Sequence, residues 1–160
     1  MKSLRAAALA VVFTGLLATP AFADLTGFIG ANTTPKSRHT QGFAVGAGLL
    51  FFGIEFEYGT TPDDPAALAP SLNTGIGNVL IQAPFAIFGF QPYFTTGGGI
   101  YHETLATHEK TGFALDTGGG VKISLLGPVR LRLDYRLFKL GDEALNSPVH
   151  RVYAGLNLKF

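Results

Sequence analysis

Hydrophobic and polar residues alternate one by one along most of the chain. In segment 130–137, three arginines and an aspartate alternate with three leucines and a tyrosine. The same period of two runs through 150–160 and through 54–58, where Glu55 and Glu57 separate apolar or aromatic side chains. This period is typical of a β-strand whose two faces meet different surroundings. The pattern therefore predicts an all-β protein.

Eight strands are predicted in this way, separated by turn residues. Their bounds are 25–33, 41–51, 54–60, 74–85, 91–101, 111–123, 129–138 and 150–160. The segment 65–102 carries no charge, but repeated glycines and prolines interrupt it. A membrane-spanning helix is therefore excluded there, because such a helix needs an unbroken backbone ladder.

The predicted links between strands alternate in length. The links after strands two, four and six are tight, at Phe52-Gly53, Phe88-Gly89 and 126–128. The links after strands one, three, five and seven are longer and polar, at 34–40, 60–73, 102–110 and 139–149. Short turns on one side and longer loops on the other are typical of transmembrane β-barrels, and eight is the smallest usual strand number. We predict an eight-stranded antiparallel up-and-down transmembrane β-barrel.

A soluble barrel such as a lipocalin, or a two-sheet sandwich, shows the same alternation. The inward positions argue against both alternatives, because adjacent charges such as Glu55 and Glu57 would be unpaired in a small apolar core. The opposite faces of the strands are nearly all apolar or small, which suits contact with lipid. The sequence therefore favours the membrane barrel.

The composition narrows the chemistry of the protein. Its 160 residues are 47% hydrophobic and include no cysteine, which excludes disulfides, thiolate metal sites and a cysteine nucleophile. The formal net charge is only +1, so nucleic acid is not an expected partner. Phenylalanines crowd the tight turns and predict an aromatic girdle at one membrane interface. They are Phe51, Phe52, Phe85, Phe88 and Phe90.

Residues 1–23 have the three parts of a secretory signal peptide. Lys2 and Arg5 give a basic start, an apolar run covers 6–17, and small residues end the segment at Ala23. The apolar run is too short for a membrane anchor, which needs about 20 residues. We predict cleavage after Ala23 and a barrel domain at 24–160, exported to the bacterial outer membrane.

Alternate residues of a strand point to opposite faces of the sheet, and we call this strand parity. It predicts a set of charged side chains inside the barrel. They are Glu55, Glu57, Asp116, Lys122, Arg130, Arg132, Asp134, Arg136, Arg151 and Lys159. Strands three and seven lie opposite each other in a ring of eight, which predicts ion pairs across the lumen between the two glutamates and Arg132 and Arg136. Pairing is expected because each unpaired buried charge would cost several kcal/mol. A bore this narrow is filled by side chains, so a closed plug is favoured over a gate.

The last ten residues resemble the C-terminal assembly signal of bacterial outer-membrane barrels. The positions that carry the resemblance are Tyr153, Gly155, Leu156, Leu158 and Phe160. Gln91-Pro92-Tyr93 with the later glycine run looks like the fifth strand of small OmpA, OmpX and opacity-protein barrels, and 131–137 is similar to their seventh. The resemblance implies lipids and the barrel-insertion machinery as partners. It says little about activity. The leading interpretation is a non-enzymatic protein with a structural or surface-display role, expected to be a monomer, and the alternative is a narrow porin-like channel.

The histidines lie in or beside the predicted longer loops. They are His39, His102, His108 and His150. His102 and His108, with neighbouring glutamates, give only a weak pattern for metal or acid–base chemistry. Ser147 and His150 resemble a lipid A deacylase pair, but the His-x-Ser motif of that family is absent. We therefore expect no catalytic residue, metal or cofactor, and a lipid-modifying enzyme is the third function considered.

Overall fold

The computed structural model describes residues 22–160. The predicted signal peptide lies outside them except for its last two positions, Phe22 and Ala23, which begin the first strand. The strands are β1 (Phe22–Asn32), β2 (Arg38–Leu49), β3 (Phe52–Thr61), β4 (Ser71–Gln82), β5 (Phe90–Leu105), β6 (His108–Leu126), β7 (Val129–Leu140) and β8 (Val149–Lys159). A short 3-10 helix, Pro65–Ala67, follows β3. Within 22–160, no helix is long and apolar enough to cross a membrane.

The strands form one closed antiparallel barrel in chain order. β1 pairs with β2 on one side and with β8 on the other, where Phe28 lies opposite Gly155. Backbone hydrogen bonds of 2.9 Å run in both directions between Ala23 and Phe160. Every strand therefore has two neighbours, and the sheet has no free edge. The predicted fold class is confirmed.

One end of the barrel carries the tight turns. The links there are 50–51, 83–89 and 127–128. The predicted turn at Phe88-Gly89 is present between the bridged residues Ile87 and Phe90, but it lies in a seven-residue link, which is longer than 33–37 at the opposite end. Gly89 and Gly127 have φ angles of +84° and +54°, which suit a residue without a Cβ. The predicted turn at Phe52-Gly53 is wrong by two residues, because Phe52 and Gly53 already pair with β2. Leu50 takes the left-handed conformation instead, with φ +47°. Pairing between β2 and β3 therefore fixes the position of the turn, although turns favour glycine and Gly53 stands nearby.

The opposite end carries the longer links 33–37, 62–70 and 141–148. The expected long loop at 102–110 is wrong, because β5 and β6 continue to a two-residue turn at 106–107. His102 pairs with Thr111 and Glu103 with Lys110 within this hairpin. The apolar–polar alternation does not reveal these ends of β5 and β6, because their side chains are polar on both faces. Both faces meet water or loops there.

The two faces of the sheet differ as the alternation predicts. Outward side chains on all eight strands are mostly apolar and exposed, and the phenylalanines expected at the tight-turn end are exposed there. Inward positions hold the charged residues and many glycines. At Gly120, an added Cβ would lie 2.2 Å from the Leu133 carbonyl oxygen and 2.7 Å from the Tyr93 hydroxyl. Glycine at this position lets the Tyr93 ring lie over β6 and its hydroxyl reach Asp134 on β7.

Candidate functional site: the charged lumen

Ten charged side chains meet inside the barrel and neutralise one another. Five are carboxylates and five are cations, and all ten take part in ion pairs. The carboxylates are Asp24, Glu55, Glu57, Asp116 and Asp134, and the cations are Lys122, Arg130, Arg132, Arg136 and Arg151. Equal numbers of the two signs make burial of this network tolerable, because unpaired charges would be strongly destabilising.

Arg136 is the most highly connected cation of the network. Its guanidinium lies 3.0 Å from Glu55, 3.2 Å from Glu57, 2.7 Å from Asp116 and 2.9 Å from Asp134. The contacts to the two glutamates join β7 to β3 across the lumen, in the arrangement that the sequence analysis expects. The Arg136 side chain is 0% exposed. Its guanidinium has five N–H donors in a planar fork, against three on a lysine ammonium, which suits contact with four carboxylates.

Asp134 and Arg132 form the centre of the network. Arg132 Nη2 lies 2.8 Å from Asp134 Oδ2, and Nη2 also donates to Glu55 Oε1 at 3.0 Å. Two tyrosines complete the shell of Asp134: the Tyr93 hydroxyl donates to it, and the Tyr153 hydroxyl lies 2.8 Å from it. Sequence reasoning did not include Tyr93 in the network, although its parity places it inward.

Asp24 anchors the network at the tight-turn end. Its Oδ2 lies 2.6 Å from Lys122 Nζ and 3.2 Å from Arg130 Nη2. Sequence reasoning missed Asp24 because it stands beside the predicted cleavage site, outside the strand as predicted. The signal was its parity with the inward Thr26 and Phe28. The Lys159 ammonium, expected inside, lies over the Phe22 ring at 3.5 Å, at the rim of this end.

Arg151 connects the charged network to an apolar layer nearer the longer loops. Its guanidinium lies 3.3 Å from Glu57 and donates to Asn32 and Thr74. On its other side it lies over the Phe138 ring, 4.5 Å from the ring centroid. One guanidinium thus satisfies a carboxylate and an aromatic face together.

The apolar layer fills the lumen above the charges. It is made of Leu72, Ile76, Tyr101, Ala114, Phe138, Leu140 and Val149, all buried and in mutual contact. Sequence reasoning gave no weight to this layer, although the parity of β7 places Phe138 and Leu140 inward after Arg136. On β1 to β3 the same level is filled by Asn32, Thr40 and Thr61, which are buried and joined by hydrogen bonds, so an ion crossing the barrel would meet a filled cross-section and then the ion pairs.

Two cavities among the inward side chains are small. A cavity of about 60 Å³ lies at the tight-turn end beside Asp24 and Arg130, and one of about 10 Å³ lies beside Glu55 and Lys122. These volumes hold at most a few water molecules. Side chains therefore fill the interior of the barrel, and its buried charges are stabilised because they neutralise one another.

The C-terminal positions divide between the two faces. Tyr153 and Gly155 point inward, whereas Leu156, Leu158 and Phe160 are exposed on the outside. Phe160 is 73% exposed, and its backbone is nevertheless paired with Ala23. The phenylalanine side chain contributes little to packing within the barrel.

The histidine candidates do not converge on one site. His108 lies 3.1 Å from the buried Glu103, while His102 faces Glu109 at 3.7 Å on the other side of the same hairpin. Within 22–160, no cluster of three or more potential ligands is arranged to hold a metal ion.

Ser147 and His150 make separate contacts. The Ser147 hydroxyl bonds the backbone of Leu140, donating at 3.2 Å and accepting at 3.0 Å. His150 Nδ1 lies 2.6 Å from the Tyr135 hydroxyl on the outer face. Each group is thus engaged by another partner, which argues against a nucleophile–base pair.

Solved structures with the same fold are outer-membrane barrels. The N-terminal β-barrel domain of Pseudomonas aeruginosa OprF matches with a TM-score of 0.70 and 12% identity, over 87% of this chain and 97% of that chain. Neisserial surface protein A matches with 0.62 and 15%, over 88% and 96%. The outer membrane enzyme PagL matches with 0.52 and 13%, over 84% and 98%.

These likenesses confirm the resemblance to small eight-stranded outer-membrane barrels at the level of fold. No protein-family model matches the chain, and no curated protein matches it in sequence. The neighbours include both an enzyme and a surface protein, so a shared fold leaves the activity open.

Proposed function

We propose that the protein is an integral outer-membrane β-barrel with a closed lumen, which supports the envelope and displays a fixed surface at its longer loops. The observation that carries the proposal is the pairing of an apolar exterior with a charge-balanced, filled interior. A water-soluble barrel would bury the apolar face and expose the charges. Here the opposite holds: Phe94, Ile100 and Phe113 are exposed, and Arg132 and Arg136 are buried.

The longer links are held in place by side-chain contacts, which supports a display role. Arg38 donates to the carbonyl oxygens of Thr34, Pro62 and Pro70 and so joins two links. Glu103 accepts a hydrogen bond of 2.9 Å from the Leu145 amide and joins the β5–β6 hairpin to the link 141–148. A surface fixed in this way can be recognised without a large ordering cost.

Single-cysteine labelling tests the location and orientation, because the chain has no cysteine of its own. Leu68→Cys lies in the link 62–70 and Leu126→Cys lies beside the turn 127–128; both native side chains are highly exposed. In intact cells, an impermeant maleimide should label Leu68→Cys only. The matched Leu126→Cys variant should be labelled only after the outer membrane is opened. Equal labelling of both variants in intact cells would exclude the proposed orientation.

Assembly through the barrel-insertion machinery is proposed for the C-terminal strand. The Phe160 side chain is exposed in the folded barrel, so Phe160→Ala should scarcely change the free energy of unfolding. Loss of a recognition feature would instead slow the appearance of folded barrel in cells, measured by heat-modifiable migration on gels. Leu126→Ala, which removes an equally exposed apolar side chain at the same end, is the control. Equal slowing in both variants would contradict a recognition role.

A narrow channel is the second candidate function. It is favoured by the four carboxylates around Arg136, since a cation with several acceptors can exchange partners. The apolar layer opposes it, because its buried side chains fill that part of the lumen. A lipid-modifying enzyme, with PagL as a neighbour of the same fold, is third, because Ser147 and His150 are engaged elsewhere.

A further inference from the structure

The cavity of about 60 Å³ at the tight-turn end of the lumen is lined by side chains that donate hydrogen bonds, and we call it the tight-turn cavity. Its lining includes Arg130 on β7, Lys159 on β8, Gln82 on β4 and Gln91 on β5. Arg130 pairs with Asn157, two positions before Lys159 on the same inward face, so the two cations are neighbours. Gln82, Gln91 and Lys159 are partly exposed, so the cavity is open at the end of the barrel.

Lys159 is a positive charge without a balancing carboxylate. The ten charged side chains of the lumen network sum to zero, and Lys159 is not one of them. Within residues 22–160 its ammonium makes no ion pair, and it lies over the Phe22 ring at 3.5 Å. The links 50–51, 83–89 and 127–128 at this end carry no charge. The side chains around the tight-turn cavity therefore have an excess of positive charge.

Arg130 and Gln82 have hydrogen-bond donors to spare. Arg130 donates from Nε to Asn157 at 2.7 Å, from Nη1 to Gln91 at 3.0 Å and from Nη2 to Asp24 at 3.2 Å. A guanidinium has five N–H groups, so one N–H on each terminal nitrogen remains for a ligand. In the described part of the chain the Gln82 side chain lines the cavity without making a hydrogen bond.

The one carboxylate in the lining is already compensated. Asp24 Oδ2 lies 2.6 Å from Lys122 Nζ and 3.2 Å from Arg130 Nη2. The other oxygen, Oδ1, has no partner and lies toward β2, since a Cβ added at Gly46 would be 3.2 Å from it. The smaller cavity of about 10 Å³ lies on that side and has room for one water molecule. Asp24 therefore turns its free oxygen away from Lys159.

We propose that the tight-turn cavity binds one phosphate group, held by the free N–H groups of Arg130, the Lys159 ammonium and the Gln82 amide. Charged donors in a convergent set, with a guanidinium among them, suit the oxygens of a phosphate. The phosphate group would replace the few water molecules for which the cavity has room. All three residues follow Ala23, so the predicted cleavage there would remove only Phe22 from the lining.

The phosphate has two possible sources, a dissolved anion and the headgroup of a phospholipid at the rim. Both present the same oxygens to the cavity. The inference does not rest on the proposed role of the protein, because it concerns the folded barrel alone.

The test is amide NMR of the isotope-labelled barrel in uncharged maltoside micelles, titrated with sodium phosphate. Sodium chloride at the same ionic strength is the reference. The side-chain amide of Gln82 and the backbone amide of Lys159 should shift and reach saturation with phosphate. Chloride should give at most a weak, unsaturated shift, because it cannot accept from several convergent donors as an oxyanion does.

Variants assign the binding to the named donors. Lys159→Gln should weaken phosphate binding about fivefold, which is the effect of one lysine on an anionic surface. Gln82→Leu keeps the charge but removes a donor, and it should weaken binding by a similar factor. Lys139→Gln makes the same charge change at the opposite end and should leave binding unchanged. Heat-modifiable migration on gels verifies that each variant is folded.

A second titration identifies the source of the phosphate. Dimyristoyl phosphatidylglycerol is added to the micelles in place of inorganic phosphate. Saturation of the same two amides at a lower concentration of lipid than of inorganic phosphate would assign the site to a headgroup. Saturation by inorganic phosphate at the lower concentration would assign it to the dissolved anion.

Three results would overturn the inference. They are the absence of saturation with both probes, an equal response to chloride, and an equal loss of affinity in Lys139→Gln and Lys159→Gln. Each leaves the proposed membrane orientation standing, because cysteine labelling in cells tests that separately.

Discussion

Arg136 Nη1 lies 2.7 Å from Asp116 Oδ2, and within residues 22–160 this is the one ion pair that Asp116 makes. Both side chains are 0% exposed. Arg136→Met therefore leaves a buried carboxylate without a cation, and we expect it to lower the free energy of unfolding by about 3–5 kcal/mol. Urea unfolding of the barrel in lipid vesicles measures the change.

A double-mutant cycle, which also includes Asp116→Asn alone, tests whether Asp116 is the cause of that loss. Adding Asp116→Asn to Arg136→Met removes the orphaned charge and should restore part of the lost stability. Lys139→Met, on the exposed rim, is the control and should change stability by less than about 0.5 kcal/mol. A double variant no more stable than Arg136→Met would show that this pair does not act as described.

Two glycines of opposite orientation test the close packing of the lumen. A Cβ at Gly120 would meet the Leu133 carbonyl at 2.2 Å, whereas a Cβ at Gly27 has no neighbour within 4 Å. Gly120→Ala should therefore destabilise the barrel by about 1–3 kcal/mol, since β6 must move away from β7. Gly27→Ala should have almost no effect. Equal tolerance of both in the same unfolding assay would argue against a filled interior.

The contact between Lys36 and Asp64 ties two of the longer links and predicts a pH effect. The Lys36 ammonium lies 3.3 Å from Asp64 Oδ2, and this hydrogen bond lowers the pKa of the Asp64 carboxyl below its ordinary value of 3.8. Because the folded pKa is lowered, the contact contributes above the ordinary pKa and is lost as pH falls through the lowered value. Lys36→Met should raise the pKa of Asp64, measured by carboxyl carbon chemical shifts. An unchanged titration would show that the two groups do not meet in solution.

Strand parity and strand count together predict which side chains share the lumen. Arg132 and Glu55 are distant in sequence, yet the alternation places both inward and the ring of eight places their strands opposite. Parity does not predict how the pairs are distributed. That Arg136 contacts four carboxylates depends on strand tilt and on side-chain length, which the alternation does not contain.

Two features of the site escaped the sequence analysis for different reasons. Asp24 stands next to the predicted cleavage site, so it was assigned to the chain end although it pairs with Lys122. Phe138 has the same parity as Arg136, but an inward apolar residue is ordinary in any barrel and carries no distinctive pattern. Its importance comes from contacts with β4, β5, β6 and β8, which appear only when the barrel closes.

Single-channel recording of the wild-type barrel in a planar lipid bilayer tests the central claim most directly. The ion pairs around Arg136 and the apolar layer at Phe138 both close the lumen, so the inserted barrel should give no current steps at either polarity. Heat-modifiable migration of protein recovered from the same preparation verifies that it is folded. Reproducible current steps from the folded wild type would contradict the closed lumen and favour the narrow channel.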